Sequence, residues 1–372
     1  MLCQSFACRS FERYGSSVVT TTSFWATFLA CMSVGLGTRI HGKRMKGRGE
    51  HMHSREHTSL LADVARRFYL LDETKSQIAD ALGISRFKVA RLLTEAKETG
   101  VATIEIHDGS PISPNLAPCL RDHLKLKDVI ITPSCRDMDT ERDSMGRAGA
   151  RYLCDRLHEG QVVGFSWGRT LMPIATHVHD MPRATFVQLT GVVGNNPSQS
   201  PIAILTHMCQ ESDCEAKALF APLFSSSPEA ARAAVVEPAA AETLSYYPKL
   251  DLAFLSVGAW NTRITQLVQH LDAAEIKRLD DIDTIADFSG MFFDADGHYL
   301  ETPINDRRIS IGIEDLLRTP DTVVVAGGKD KADAILAICR TGIPTCLITT
   351  DDVARALLDR PPITRHIYDR QD

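Results

Sequence analysis

The side chains best equipped for chemistry in this chain are glycines, hydroxyls and cations gathered at the ends of apolar runs. In VVGFSWGRTL an apolar run ends at Trp167, Gly168 and Arg169 form a turn, and Thr170 is placed to cap a helix that tolerates Pro173 in its first turn. Free backbone N–H groups, a hydroxyl and an arginine at one helix start make an anion cradle. VVVAGGKDKADAIL repeats the arrangement: Gly327 and Gly328 permit close backbone approach, and Lys331 stands where the next helix begins. VQLTGVVG delivers Gln188 and Thr190 to the same rim, followed by Gly191. Turns of this kind are common connectors, so no single one is diagnostic. Three of them converging on one sheet edge point to a phosphate-bearing ligand.

A second group lies in residues 75–100, KSQIADALGISRFKVARLLTEAKETG. Ile78, Ala79 and Leu82 form one buried stripe at helical period. Gly83 supplies the positive φ of a sharp turn, Ile84 plugs the corner, and Ser85 caps the next helix. Val89, Leu92, Leu93 and Ala96 make the second stripe, so Arg86, Phe87, Lys88 and Arg91 project from the opposite side of its first turns. That is how the reading helix of a helix-turn-helix enters a major groove. Arg86 and Arg91 suit a guanine edge or a phosphate, Ser85 and Lys88 suit backbone clamps, and Phe87 suits a thymine methyl. The alternative is a helical hairpin with a solvated charged face. An upstream helix over residues 60–71 would complete a three-helix core, with Arg66 and Arg67 in solvent.

These groups need elements to hold them. Beyond the head, apolar runs predict strands at 128–132, 161–167, 185–190, 252–257, 322–326 and 345–349, alternating with helices. Continuous apolar strands are buried on both faces, as in a parallel sheet covered by helices, so the body is expected to be a doubly wound α/β domain. Ligands in such sheets bind beyond the carboxyl ends of the strands, where the glycine turns fall. VATIEIH, residues 101–107, alternates as a short wing strand. Residues 108–118, with three prolines and a glycine, read as a linker. The expected organisation is an extension at 1–56, a winged-helix-like head at 57–107, that linker, and a ligand-binding body at 119–372.

Charge follows the same division. Residues 39–107 carry a net +4 and residues 108–372 a net −11 within an overall −6, as suits a head that alone meets phosphate. Ten cysteines occur without a CxxC or a Cys/His pair at zinc spacing, which is read as reduced thiols in a cytosolic protein. Cys209 and Cys214, the closest pair in the body, lack a neighbouring histidine and are not read as a metal site. No cofactor is implied. Residues 14–38 contain no charge and include Phe24, Trp25, Phe28 and Leu29. They are read as lying upstream of a true start near Met45 or Met52, with a membrane anchor at 17–36 as the alternative.

Other constellations read as structural. DADG at residues 294–297 opens like a calcium loop, but Tyr299 and Asn305 stand where glycine and glutamate are required, so a hairpin turn is expected. Neither a G-x-S-x-G elbow nor a Walker A pattern occurs. His177 and His179, two apart, and His51 and His53 are read as structural or solvated.

The succession GISRFKVARLL, VGFSWGRTL, VQLTGVVG, DLAFLSVGAW, IADFSGMFFDADG, AGGKDKADAILA and GIPTCLITTDDVARALL resembles the SorC family of bacterial sugar-responsive transcriptional regulators, over about residues 60–358. The resemblance implies an operator-reading head, and a body related in fold to Rossmann-like sugar-phosphate isomerases. It further implies a phosphorylated sugar as effector and assembly into homodimers or homotetramers. Carried over by motif, the phosphate would meet Gly168, Arg169 and Thr170, Gln188 would meet the sugar, and Lys331 would add charge. Asp294 and Arg308 are transferred through neighbouring motifs only. The chain departs from the family at Gly191-Val192-Val193-Gly194, where paired glycines are frequent, and at Phe87, where many relatives carry proline. The expected function is control of carbohydrate-metabolism genes through operator DNA, without catalysis and without membrane attachment. The alternative is an isomerase-like enzyme fused to a DNA-binding head, with Asp294 or Asp306 as base and Lys331 holding phosphate.

Overall fold

The computed structural model describes residues 49–102, 112–194, 200–210 and 213–370. The chain divides into two compact units, Met1–Glu105 and Ile106–Asp372.

In the first unit three helices, α1 (Gly49–Tyr69), α2 (Lys75–Leu82) and α3 (Arg86–Glu98), enclose a core of Leu61, Val64, Ile78, Val89, Leu92, Leu93 and their neighbours. Thr74 caps α2 in a capping box with Gln77, which the sequence reading did not single out. Gly83 ends α2 in the left-handed region at φ 64°, where a Cβ is disfavoured. Ile84 is half-buried against the core, and the Ser85 hydroxyl accepts the Lys88 N–H at 3.2 Å to start α3. The expected wing leaves the described residues after Ala102, and residues 108–111 of the linker and the uncharged run at 14–38 also lie outside them. Among the described residues, no helix is long and apolar enough to cross a membrane.

The second unit is built on β1 (Asp128–Thr132), β2 (Val162–Phe165), β3 (Thr185–Gln188), β4 (Glu215–Lys217), β5 (Leu252–Leu255), β6 (Gly258–Ala259), β7 (Ala286–Phe288), β8 (Met291–Phe293), β9 (Asp321–Val325) and β10 (Cys346–Thr350). Its helices are α4 (Leu116–Leu124), α5 (Met138–Arg156), α6 (Met172–His177), α7 (Pro201–Gln210), α8 (Pro228–Val236), α9 (Pro238–Leu244), α10 (Ala273–Asp281), α11 (Ile313–Arg318), α12 (Ala332–Arg340) and α13 (Asp351–Leu358). Seven strands form a parallel sheet in the order β1-β10-β9-β5-β2-β3-β4, and β6-β7-β8 form a small antiparallel sheet.

The apolar runs explain the two-sided covering. Leu252 and Phe254 of β5 enter one core with Val323, Val325 and Ile348, packed on α5, α6 and α7. Ala253 and Leu255 enter the opposite core with Val324 and Leu347, packed on α4, α12 and α13. Alternate residues of one strand thus feed opposite faces, so every position must be apolar.

From β2 the chain moves outward through β3 and β4, then returns to β5 and proceeds the other way through β9 and β10. The connections therefore diverge between β2 and β5, and a crevice opens there at the carboxyl ends of the strands.

Candidate anion-binding site

A cavity of about 280 Å³ occupies that crevice. The turn after β2 contributes Trp167, Gly168, Arg169 and Thr170, the segment after β5 contributes Ser256, Val257 and Gly258, and the turn after β9 contributes Gly327 and Lys331. The α5 helix adds Met138, Arg142 and Met145, which share one face at helical spacing. The two glycine–cation turns that stand far apart in sequence thus face one space.

The wall is strongly cationic. Among the described residues, Arg142, Arg169, Arg263 and Lys331 line it against Asp287 as the single acidic lining residue. Arg142 pairs with Asp139 at 2.5 Å and Arg263 with Asp280 at 2.6 Å. Arg169 has no ion-pair partner among the described residues. Lys331 donates from Nζ to the Val257 carbonyl at 2.9 Å. Burial pushes its ammonium down to about 8; Asp287 opposes that shift, while Arg169 and Arg142 add to it.

Asp287 and Ser289, on β7 and the turn after it, supply the remaining polarity. Burial pushes the Asp287 carboxyl up to about 6, against a hydrogen bond from Thr265 and the charge of Lys331. Asp287 Oδ1 and Ser289 Oγ are buried without a hydrogen-bond partner. Ser289 has φ 54°, an unusual conformation outside glycine, in the tight turn between β7 and β8. Unsatisfied buried polar atoms are rare in folded proteins. A pair lining one cavity offers hydrogen-bonding capacity to a ligand's hydroxyl groups.

The other expected residues are placed as follows. Thr170 does not cap α6: that helix begins at Met172 with Leu171 as its unassisted cap, and the Thr170 hydroxyl donates to the Val325 carbonyl at 3.2 Å. Gln188 is fully buried and does not line the cavity. Its Oε1 accepts the Leu219 N–H at 3.0 Å and its Nε2 donates to the Thr190 carbonyl at 2.6 Å. Gly191 donates its N–H to the Ile309 carbonyl and packs against Pro222. Asp294 folds back on its own turn, accepting the N–H groups of Asp296 and His298 at 2.9 and 2.8 Å. Arg308 is half-buried and does not line the cavity, donating to the Ser289 and Ile311 carbonyls at 3.4 and 2.9 Å. Gly327 lines the cavity, while the neighbouring Gly328, at φ 93°, does not.

Asp287, Ser289, Arg142 and Arg263 were missed by the residue reading. The first two sit inside IADFSGMFFDADG, where their signal is an acid and a hydroxyl interrupting an apolar run.

In the first unit Arg86, Phe87, Lys88 and Arg91 are exposed along the start of α3, with Phe87 77% exposed and the Arg86 guanidinium 5.9 Å from its ring centroid. The Ser85 hydroxyl is engaged as the helix cap.

The family model described as "Putative sugar-binding domain" matches residues 113–359. The chain is 27% identical over 310 residues to a deoxyribonucleoside regulator of Bacillus subtilis, covering 82% of this chain and 99% of that protein. It is 26% identical over 318 residues to a sorbitol operon regulator of Klebsiella pneumoniae, covering 82% and 100%. The crystal structure of the full-length sorbitol operon regulator SorC from Klebsiella pneumoniae has the same fold, with a TM-score of 0.67 at 23% identity over 81% of this chain and 98% of that one. The chain belongs to the SorC family of bacterial transcriptional regulators, and residues 113–359 are the family's sugar-binding domain.

Proposed function

We propose that this regulator binds a phosphorylated sugar in the crevice between β2 and β5, and that this ligand sets the affinity of the α3 face for operator DNA. The observation carrying the reading is the juxtaposition of Arg169, without an ion-pair partner among the described residues, and the half-buried Lys331 with the unsatisfied Asp287 Oδ1 and Ser289 Oγ in one cavity. The cations and the Gly168 backbone suit a phosphate, and the acceptor and hydroxyl suit sugar hydroxyls. Regulators of sorbitol, erythritol and deoxyribonucleoside metabolism among the relatives support a sugar as the effector.

Arg86, Phe87, Lys88 and Arg91 form the reading surface, and Ser85 supports it by fixing the start of α3. Control follows from linkage: a ligand that prefers one arrangement of the chain shifts the population that binds DNA. Coupling of ~1–3 kcal/mol changes occupancy by roughly 5- to 150-fold. A homodimer or homotetramer would place such heads on repeated half-sites. The pocket senses rather than turns over its ligand. Asp294 and Asp306, the bases of an isomerase alternative, do not line the cavity.

Thermal unfolding of the chain with a panel of sugar phosphates and their unphosphorylated counterparts tests this reading. A ligand specific to the native state at a hundred times its Kd stabilises by ~2.7 kcal/mol. A shift confined to phosphorylated compounds and lost in Arg169→Ala and Lys331→Ala supports it. The absence of any such shift refutes it.

A further inference from the structure

Arg263 lines the cavity from outside the two glycine turns and is held from three sides. It stands at φ 59°, in the left-handed region, where the turn that begins at Trp260 ends. That turn is closed by the Arg263 N–H on the Trp260 carbonyl and by the Ala259 N–H on the Ile264 carbonyl, each at 3.1 Å. The guanidinium lies 4.9 Å from the Trp260 ring centroid. Asp280, next to last in α10, accepts the Trp260 indole N–H on Oδ1 at 2.8 Å and the Arg263 Nη2 hydrogen on Oδ2 at 2.6 Å. One carboxylate thus takes a bond from each partner of the stack. The clamp is anchored at both ends, because Trp260 and Leu279, the residue before Asp280, are buried in one apolar cluster. From Arg263 the chain continues along the cavity wall as Ile264, Thr265 and Gln266.

Resting on the phosphorylated-sugar reading, we propose that Arg263 is a ligand-binding residue of the cavity and that Asp280 is its positioning residue, the clamp with Trp260 keeping the guanidinium presented to the sugar phosphate. A guanidinium carries five N–H donors, and the bond to Asp280 occupies one of them. A long side chain loses rotamer freedom when it grips a ligand; one already stacked and paired has lost it before the ligand arrives. The arrangement does little for folding itself. An exposed ion pair contributes little to stability, and left-handed backbone at a residue other than glycine is unfavourable. The bond from Arg263 foremost, with that from Trp260, holds the Asp280 carboxyl below its ordinary value against desolvation, so the carboxylate is charged at neutral pH.

The test is a double-mutant cycle of Arg263→Ala and Asp280→Ala in the full chain. Both residues are exposed, so all three variants are expected to keep the wild-type unfolding midpoint. Affinity is measured by calorimetry for the pentose or hexose monophosphate that stabilises the wild type most. Arg263→Ala is expected to weaken binding roughly tenfold, as loss of a hydrogen bond from a charged group would, and Asp280→Ala roughly threefold to tenfold. The double variant is expected to bind no more weakly than Arg263→Ala, because Asp280 acts only through Arg263. Wild-type affinity in either single variant overturns the proposal, and so does a double variant weakened by the product of the two. Nitrogen-15 relaxation of the Arg263 guanidinium in the unliganded chain is independent of any ligand. A guanidinium ordered in wild type and loosened in Asp280→Ala supports the positioning role even where no sugar phosphate binds, an outcome that would sink only the effector reading. Equal order in the two proteins overturns it.

Discussion

Lys331 and Asp287 share one buried cavity with opposite charges, and burial drives both towards neutrality from opposite directions. Asp287 is raised from 3.8 to about 6, so between those values the folded chain holds a proton that the unfolded chain has lost, and stability falls as pH rises. Lys331 is lowered from 10.5 to about 8, so stability rises again as pH climbs from about 8 towards the unfolded value. Between about pH 6 and 8 both penalties are fully present, at about 3 kcal/mol each from shifts of roughly two units. Asp287→Asn should abolish the loss on the acid side and raise the unliganded unfolding midpoint at pH 7, while weakening sugar binding. Midpoints measured from pH 4 to 9 for both proteins check this; parallel curves would remove Asp287 from the account.

Arg169 should separate binding from folding. It is exposed and without an ion-pair partner among the described residues, so Arg169→Ala should alter stability by no more than about 0.5 kcal/mol. Losing its charged contacts should weaken a phosphorylated ligand roughly tenfold or more. Calorimetric titration beside an unfolding curve reads both quantities, and a variant that binds as tightly as wild type would contradict the cradle.

The head offers a paired contrast on α3. Ser85→Ala removes the cap on Lys88 N–H and should cost about 1 kcal/mol of head stability together with DNA affinity. Phe87→Ala should leave stability nearly unchanged, because its ring is in solvent, and should alter preference among operator sequences. Unfolding curves and competition binding on operator variants distinguish the two; identical effects would mean that Phe87 reads nothing.

Gly146 on α5 lies against Pro173 in the first turn of α6, where an added Cβ would stand 2.3 Å from the proline Cβ. Gly146→Ala should therefore push the two helices apart and destabilise by about 1–3 kcal/mol. Since Arg142 lies on α5 and Arg169 just ahead of α6, ligand affinity should fall as well. An unfolding midpoint equal to that of wild type would show that the helices accommodate a methyl group.

Much of the body was legible because burial on both faces leaves a plain mark in composition. The run at 128–132 coincides with β1, and the other five predicted runs each contain or overlap a strand of the large sheet. The shortfall lies where burial is partial or the strand is brief. Glu215 and Lys217 make an edge strand of three residues look like loop, and β6, β7 and β8 are too short for a period to register. Gly168, Arg169, Gly327 and Lys331 were visible because glycine beside a cation at a strand end is a local pattern. Gln188 followed the same logic, yet its side chain turns inward to backbone groups, a choice made by Leu219 thirty-one residues away. The one local sign at Asp287 is an acid interrupting an apolar run; desolvation by residues distant in sequence is what makes it unusual.

The divergence of connections at the crevice also has a mechanical side. The sheet is two fans opening in opposite directions, sewn together at their common seam by the pairing of β2 with β5 and by the Thr170 hydroxyl on the Val325 carbonyl. On the reading proposed above, a ligand held by Arg169 from one fan and Lys331 from the other would be one more stitch across that seam.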